Sequence, residues 1–238
     1  MEMSELHNRL LEERGLPPLI ALSKSGDTNS RAEATRAIAH LAANPDMQQA
    51  ILREGALKPM VEALTSGEVN CRRFAALGLA NLATTVSSQV KIVQTGALKP
   101  LVAIAKAAET QLEARRYAVL AIANLTATLA NHPSILEEGA LHALFSLSNS
   151  PDVMSQYYVG SALANLSCSA QNHKLIIEEG GLQPVITLAY SPDPDVHQQA
   201  AAAIRGLRYV QLKVIGRWAH RRRRGKCCTL TSLSVSVF

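Results

Sequence analysis

One eleven-residue stretch constrains the fold more than any other, because it returns at a near-constant interval. Arg72-Arg73-Phe74-Ala75-Ala76-Leu77-Gly78-Leu79-Ala80-Asn81-Leu82 is followed one period on by Arg115-Arg116-Tyr117-Ala118-Val119-Leu120-Ala121-Ile122-Ala123-Asn124-Leu125. Another period on stands Gln156-Tyr157-Tyr158-Val159-Gly160-Ser161-Ala162-Leu163-Ala164-Asn165-Leu166, and weaker copies end at His40-Leu41 and Gly206-Leu207. The positions His40, Asn81, Asn124, Asn165 and Gly206 are 41, 43, 41 and 41 residues apart, and Leu16, Leu57, Leu98, Leu141 and Leu182 are 41, 41, 43 and 41 apart. Gly55, Gly96, Gly139 and Gly180 each follow the preceding member of the asparagine series by 15 residues. The two extra residues of the third unit lie before Asn124, around residues 106–111. Such a period marks stacked units, none of which can bury its apolar stripe alone.

Each unit reads as three helices. A short one carries apolar residues at helical spacing, as at Val90 and Val93 or Ile135 and Leu136. Glycine then bends the chain, since it tolerates the left-handed backbone that a sharp turn needs. Pro59, Pro100 and Pro184 fall in the first turn of the second helix, where no hydrogen bond is lost. A polar loop such as Thr65-Ser66-Gly67 leads to the long third helix, whose stripe is Ala75/Ala76, Leu79 and Leu82. The units expected are 7–42, 47–83, 88–126, 132–167 and 172–207, within a repeat region of 1–207.

Gly-Ala-Leu-x-Pro-Leu-Val followed by Ala-x-Ala-Leu-x-Asn-Leu at this period resembles the armadillo repeat, over roughly residues 6–207. HEAT repeats lack both the glycine–leucine–proline bend and the third-helix asparagine. The resemblance implies an all-α, right-handed α-solenoid of about five three-helix repeats, with the third helices lining a concave groove. In wording the repeats are most similar to vacuolar and membrane-associated armadillo scaffold proteins of fungi, plants and protists. Importin-α-like proteins carry Trp where this chain has Leu77, Leu120 and Ser161, so recognition of nuclear-import signals does not carry over. β-Catenin-like grooves are strongly basic; here only Arg36, Arg73 and Arg116 qualify.

The implied groove residues follow from one helix face, counting back from each asparagine by 0, 4, 7 and 8. They are Asn81, Leu77, Phe74 and Arg73, then Asn124, Leu120, Tyr117 and Arg116, then Asn165, Ser161, Tyr158 and Tyr157. The flanking units offer His40, Arg36, Glu33 and Ala32, and Gly206, Ala202, Gln199 and Gln198. A side-chain amide both donates and accepts, so an asparagine ladder can pair with the main chain of an extended peptide. Phe74, Tyr117, Tyr157 and Tyr158 would add apolar contact, while Arg73 and Arg116 would favour acidic segments. Each asparagine can equally satisfy a loop or helix end of the neighbouring unit. The expected partner is an extended protein segment; no nucleic acid and no cofactor is expected.

The net charge of +5 divides unevenly. Residues 208–238 hold eight Lys+Arg and no acid, leaving the preceding 207 residues at −3. A nucleic-acid-binding solenoid would carry a basic body. After Leu207 the repeat pattern stops. The tail, with four arginines at 221–224 beside Cys227-Cys228, admits three readings: sequence from a mis-spliced gene, a membrane-targeting tail with Cys227 and Cys228 as lipidation sites, or a nuclear-import signal. Without a sixth unit, Ile204 and Leu207 would be under-covered. Cys71 and Cys168 read as free, buried or half-buried thiols.

Catalysis finds no support. The histidines lack metal-ligand spacing, and His132 and His173 read as turn or cap residues. No serine sits in Gly-x-Ser-x-Gly. Glu137-Glu138 and Glu178-Glu179 precede a glycine bend, as Glu12-Glu13 do, so they are a repeat feature rather than paired acids. The expectation is therefore a non-enzymatic protein-binding scaffold or adaptor in the cytoplasm. Alternatives are a fragment of a larger armadillo protein, such as a ubiquitin ligase, a scaffold peripheral to the vacuolar or another membrane, or a nuclear protein.

Overall fold

The computed structural model describes residues 9–107 and 111–207; the tail with Cys227 and Cys228 lies outside the described residues. Among the described residues every regular element is a helix. The first helices are Pro45–Arg53, Val86–Gln94, His132–Glu137 and Ala170–Glu178, with residues 9–12 helical in the first unit. The second helices are Leu16–Leu22, Leu57–Leu64, Leu98–Lys106, Ala140–Leu147 and Leu182–Ala189. The third are Thr28–Leu41, Val69–Leu82, Leu112–Leu125, Val153–Ser167 and residues 194–207. Consecutive third helices pack side by side, and the first and second helices flank that row.

The third helices start where a short polar side chain takes up a free backbone N–H. Asp27 accepts from Ser30 N at 2.7 Å, Asp152 from Ser155 N at 3.0 Å and Asp193 from Val196 N at 3.1 Å. Glu68 caps in the same way through Cys71 N. Gln111 makes no such bond, so the unit with the insertion has the one third helix without a side-chain cap among these five.

The bends between first and second helices use left-handed backbone, with φ of +78° at Gly55, +84° at Gly96, +70° at Gly139 and +87° at Gly180. The first unit, which has Gly15 beside its bend, differs from the other four. Its left-handed residue is Arg14, at φ 52°, and not Gly15. Arg14 stands two residues before Leu16, as Gly55 stands before Leu57, so register decides the geometry and residue type follows imperfectly.

The core is one aliphatic and alanine-rich layer running through the stack. Ala75, Ala76, Leu79 and Leu82 are all fully buried, and so are their counterparts Ala118, Val119, Ile122 and Leu125. Each buried leucine or isoleucine contributes about 1.5–3 kcal/mol, supplied by a neighbouring unit as much as by its own. The last unit shows the consequence. Ile38, Leu79, Ile122 and Leu163 are at most 1% exposed, whereas Ile204 at the same position is only partly buried. Leu207, in contrast to the expectation, is 2% exposed and belongs to the core layer. Cys71 is buried and Cys168 exposed; both are free thiols.

Candidate peptide-binding face

The face counted from the asparagines forms a strip of half-buried residues between core and solvent. Asn81, Leu77, Phe74 and Arg73 are all half-buried, as are Asn124, Leu120, Tyr117 and Arg116, and Asn165, Ser161, Tyr158 and Tyr157. In the first unit His40, Arg36 and Glu33 are exposed instead, and Ala32 is buried. In the last, Gly206, Ala202 and Gln199 are half-buried and Gln198 is exposed. The helices of the middle three units thus bring their proposed groove residues into one row.

Each asparagine points the same way along the stack. Asn81 Nδ2 donates to Ala39 O and Asn124 Nδ2 to Ala80 O, both at 2.9 Å. The acceptor in each case is the residue just before the preceding unit's counterpart. The equivalent acceptor for Asn165 is Ala123 O, but the Thr126 hydroxyl already donates to it at 2.5 Å. Asn165 Nδ2 therefore donates to Thr126 Oγ1, at 3.1 Å. At the fourth junction the amide is gone. A Cβ on Gly206 would stand 2.1 Å from Ser167 Oγ, and that hydroxyl donates to Ala164 O at 2.7 Å. One amide hydrogen of each asparagine thus serves the neighbouring helix. The amide oxygens of Asn81 and Asn124 accept no hydrogen bond from the protein among the described residues.

The arginines reach in the opposite direction. Arg73 Nη1 lies 2.7 Å from Glu113 Oε2, and its guanidinium carbon lies 4.5 Å from the Phe74 ring centre. Arg116 makes a two-pronged contact with Asp152, Nε to Oδ2 at 2.8 Å and Nη2 to Oδ1 at 2.6 Å. Asp152 is 8% exposed and also caps the third helix of the fourth unit. Burial works to raise its carboxyl, but hydrogen bonds from Arg116 and Ser155 outweigh that and hold it below the usual carboxylate range. The same contact raises the Arg116 guanidinium. Both arginines are thus neutralised by carboxylates of the following unit.

Tyr117 lies on the third helix of the third unit and Tyr157 and Tyr158 on that of the fourth. The rings of Tyr157 and Tyr158 meet edge to face at 5.6 Å. Burial raises the Tyr158 hydroxyl, with Arg116 pulling the other way. Phe74 faces His40 of the first unit at 6.1 Å.

Sequence reasoning missed a second ladder, eight residues past the asparagine series. Gln48 Nε2 donates to Ala42 O and Gln89 Nε2 to Ala83 O, each at 3.0 Å. His132 Nε2 lies 2.8 Å from Thr126 O, and His173 Nε2 lies 2.7 Å from Ser167 O. Each side chain closes off a carbonyl six residues back, at the end of the preceding third helix. The ladder also crosses units: Thr84 Oγ1 donates to Gln48 Oε1 at 3.0 Å, Thr128 Oγ1 to Gln89 Oε1 at 2.5 Å, and Asn172 Nδ2 meets His132 Nδ1 at 2.8 Å. The available signal was a polar residue at constant offset, hidden by the change from amide to imidazole.

Among the described residues no group of three His, Cys, Asp or Glu side chains is placed to hold a metal ion. No single helix there is long and apolar enough to cross a membrane.

Residues 169–207 match the armadillo/beta-catenin-like repeat. The chain is similar in structure to a designed armadillo repeat protein, with 28% identity, 85% of this chain and 86% of that one covered, and a TM-score of 0.80. A second designed armadillo repeat protein, solved in complex with the peptide (KR)4, is 27% identical, with 85% and 86% covered and a TM-score of 0.79. An engineered protein from a structural genomics target is 27% identical, with 87% and 85% covered and a TM-score of 0.82. No curated protein sequence matches the chain. The fold is therefore the all-helical armadillo solenoid.

Proposed function

We propose that this chain is a non-enzymatic scaffold or adaptor that holds an extended partner segment along the third helices of its middle three units. The observation that carries the reading is the common orientation of Asn81 and Asn124, each of which gives one amide N–H to the neighbouring helix while its amide oxygen accepts no bond among the described residues. Phe74, Tyr117, Tyr157 and Tyr158 flank that row and would receive partner side chains. The likeness to a designed armadillo repeat protein in complex with the peptide (KR)4 supports a peptide as the class of ligand. Because Arg73 and Arg116 are already paired, the segment held here is neutral or basic in preference to acidic.

Cytoplasmic residence belongs to the same proposal. Kinship with vacuolar or membrane-associated armadillo scaffolds would rest on repeat wording alone, and lipidation at Cys227 or Cys228 on the tail's composition alone.

The test is selection of displayed ten-residue peptides on the full chain, followed by titration of the selected sequences. The triple variant Asn81→Ala, Asn124→Ala, Asn165→Ala should bind the selected peptides at least tenfold more weakly while keeping its helical circular dichroism. Undiminished binding by the folded triple variant would overturn the groove assignment. Selection of acidic peptides would overturn the charge preference alone.

A further inference from the structure

We infer that the junction of the fourth and fifth units holds an arginine of the partner segment, between the rings of Tyr157 and Tyr158 and the carboxylates of Asp193 and Asp195. The site extends the peptide groove proposed above and rests on that reading. The chain itself shows what such a site does, because it fills two of them from within. At the second junction the Arg73 guanidinium carbon lies 4.5 Å from the Phe74 ring centre, and Nη1 lies 2.7 Å from Glu113 Oε2 of the next unit. At the third, Arg116 makes its two-pronged contact with Asp152 of the next unit, at 2.8 and 2.6 Å. Tyr117 follows Arg116 in the chain as Phe74 follows Arg73. Each site thus combines an arginine eight residues before its asparagine, a ring seven before it, and an acid eleven or thirteen before the next asparagine.

The fourth junction keeps the ring and the acids but lacks the arginine. Tyr158 stands seven residues before Asn165, and Tyr157 takes the arginine's place eight before it. Asp193 and Asp195 stand thirteen and eleven residues before Gly206, so both acid positions are filled at once. The two units meet closely here: Ser191 Oγ donates to Gln156 Oε1 at 2.8 Å, and a Cβ on Gly160 would stand 2.7 Å from Gln199 Cβ. Asp193 is half-buried and Asp195 exposed. Asp193 Oδ1 accepts from Asp195 N at 3.0 Å and from Val196 N at 3.1 Å. Among the described residues Asp193 Oδ2 and the Asp195 carboxylate accept no hydrogen bond, and neither residue has an ion-pair partner.

Cations of the fifth unit do not replace the arginine. Lys174 faces Glu178 at 3.8 Å, and Arg205 stands ten residues beyond Asp195, about 15 Å along the helix. The first junction offers no counterpart, since Ala32 and Glu33 hold the arginine and ring positions and Asn70 takes the place of one acid. Arginine suits the fourth junction better than lysine, because a planar guanidinium stacks on a ring while its edge bonds a carboxylate. Tyr157 and Tyr158 are half-buried, which leaves ring surface for that stacking.

The test is display selection of ten-residue peptides on the full chain, with titration of the selected sequences against the wild type and Asp193→Asn/Asp195→Asn. Asparagine caps a helix as well as aspartate does, so the fifth unit is kept. Peptides selected on the wild type should carry an arginine at one position. Replacing it with norleucine should weaken binding to the wild type on the order of tenfold and leave binding to the double variant unchanged. If the double variant does not fold, Tyr157→Arg decides: its own guanidinium fills the site, so the arginine and norleucine peptides should bind it equally. Selected peptides without arginine, or an equal loss on wild type and variant, would overturn this site and leave the groove reading standing. Undiminished binding of the same peptides by the folded Asn81, Asn124 and Asn165 triple alanine variant would overturn the groove reading and this site with it.

Discussion

The first and last junctions of this solenoid do the same mechanical job with different chemistry. Between the early units, Asn81 and Asn124 bond directly to a helix carbonyl and Gln48 and Gln89 close the helix ends. Between the late units a threonine hydroxyl intervenes at Asn165, a serine hydroxyl displaces the amide at Gly206, and imidazoles stand in for glutamines. The comparison teaches that the repeat conserves a carbonyl to be satisfied and a distance to be spanned. The group that does so can change from one junction to the next.

The largest test of that contrast concerns the two ion pairs. Asp152→Ala removes a helix cap and leaves Arg116 without its partner at a largely buried contact, and should cost about 2–3 kcal/mol in urea unfolding. Glu113→Ala, at a half-exposed pair in the earlier junction, should cost less than about 1 kcal/mol. Similar costs would erase the distinction. Because the folded Asp152 carboxyl is held below its ordinary value, its contribution is full above the unfolded-state value near 4 and is lost as pH falls below it. Acid titration should show wild type more stable than Asp152→Asn above that pH, with the difference shrinking as pH falls below it.

Restoring the early design to the last junction comes next. Gly206→Asn should cost about 1–3 kcal/mol, since a Cβ there overlaps the Ser167 hydroxyl. Adding Ser167→Ala, the residue type found at Ala42 and Ala83, should recover part of that cost. Asn81→Ala should cost about 1 kcal/mol by chemical denaturation. Asn165→Ala should cost less, because Thr126 keeps its own bond to Ala123 O. The smallest expected effect is a gain: Arg14→Gly relieves a left-handed arginine, at φ 52°, and should stabilise the first unit by up to about 1 kcal/mol.

Much of this architecture was legible because a stacked repeat writes its core period into a single helix. The stripe of Ala75, Leu79 and Leu82 identifies the buried side of a third helix without reference to any other unit. The strip from Arg73 to Asn81 follows as the adjoining face. What could not be read was the far end of each polar side chain. Arg116 and Asp152 are 36 residues apart, and nothing local to either says that they meet. The left-handed Arg14 was masked by the adjacent Gly15, whose residue type fits the bend while its register does not. The asparagines are half-buried on the face counted from the sequence, but their engagement with the preceding helix depends on the lateral packing of two units.

One consequence of the six-residue carbonyl contacts concerns where such a chain can change length. Gln48, Gln89, His132 and His173 each reach the same number of residues back, so an insertion between a third helix and the next first helix would pull the side chain off its target. At the other turn the constraint is looser. Arg72 and Gln156 bond the carbonyls of Ser66 and Ser150, six residues back, but in the lengthened unit Arg115 reaches Ala105 O, ten residues back. Growth and shrinkage of the units are thereby channelled to the turn before the third helix, where a long, pliable guanidinium arm can absorb the slack.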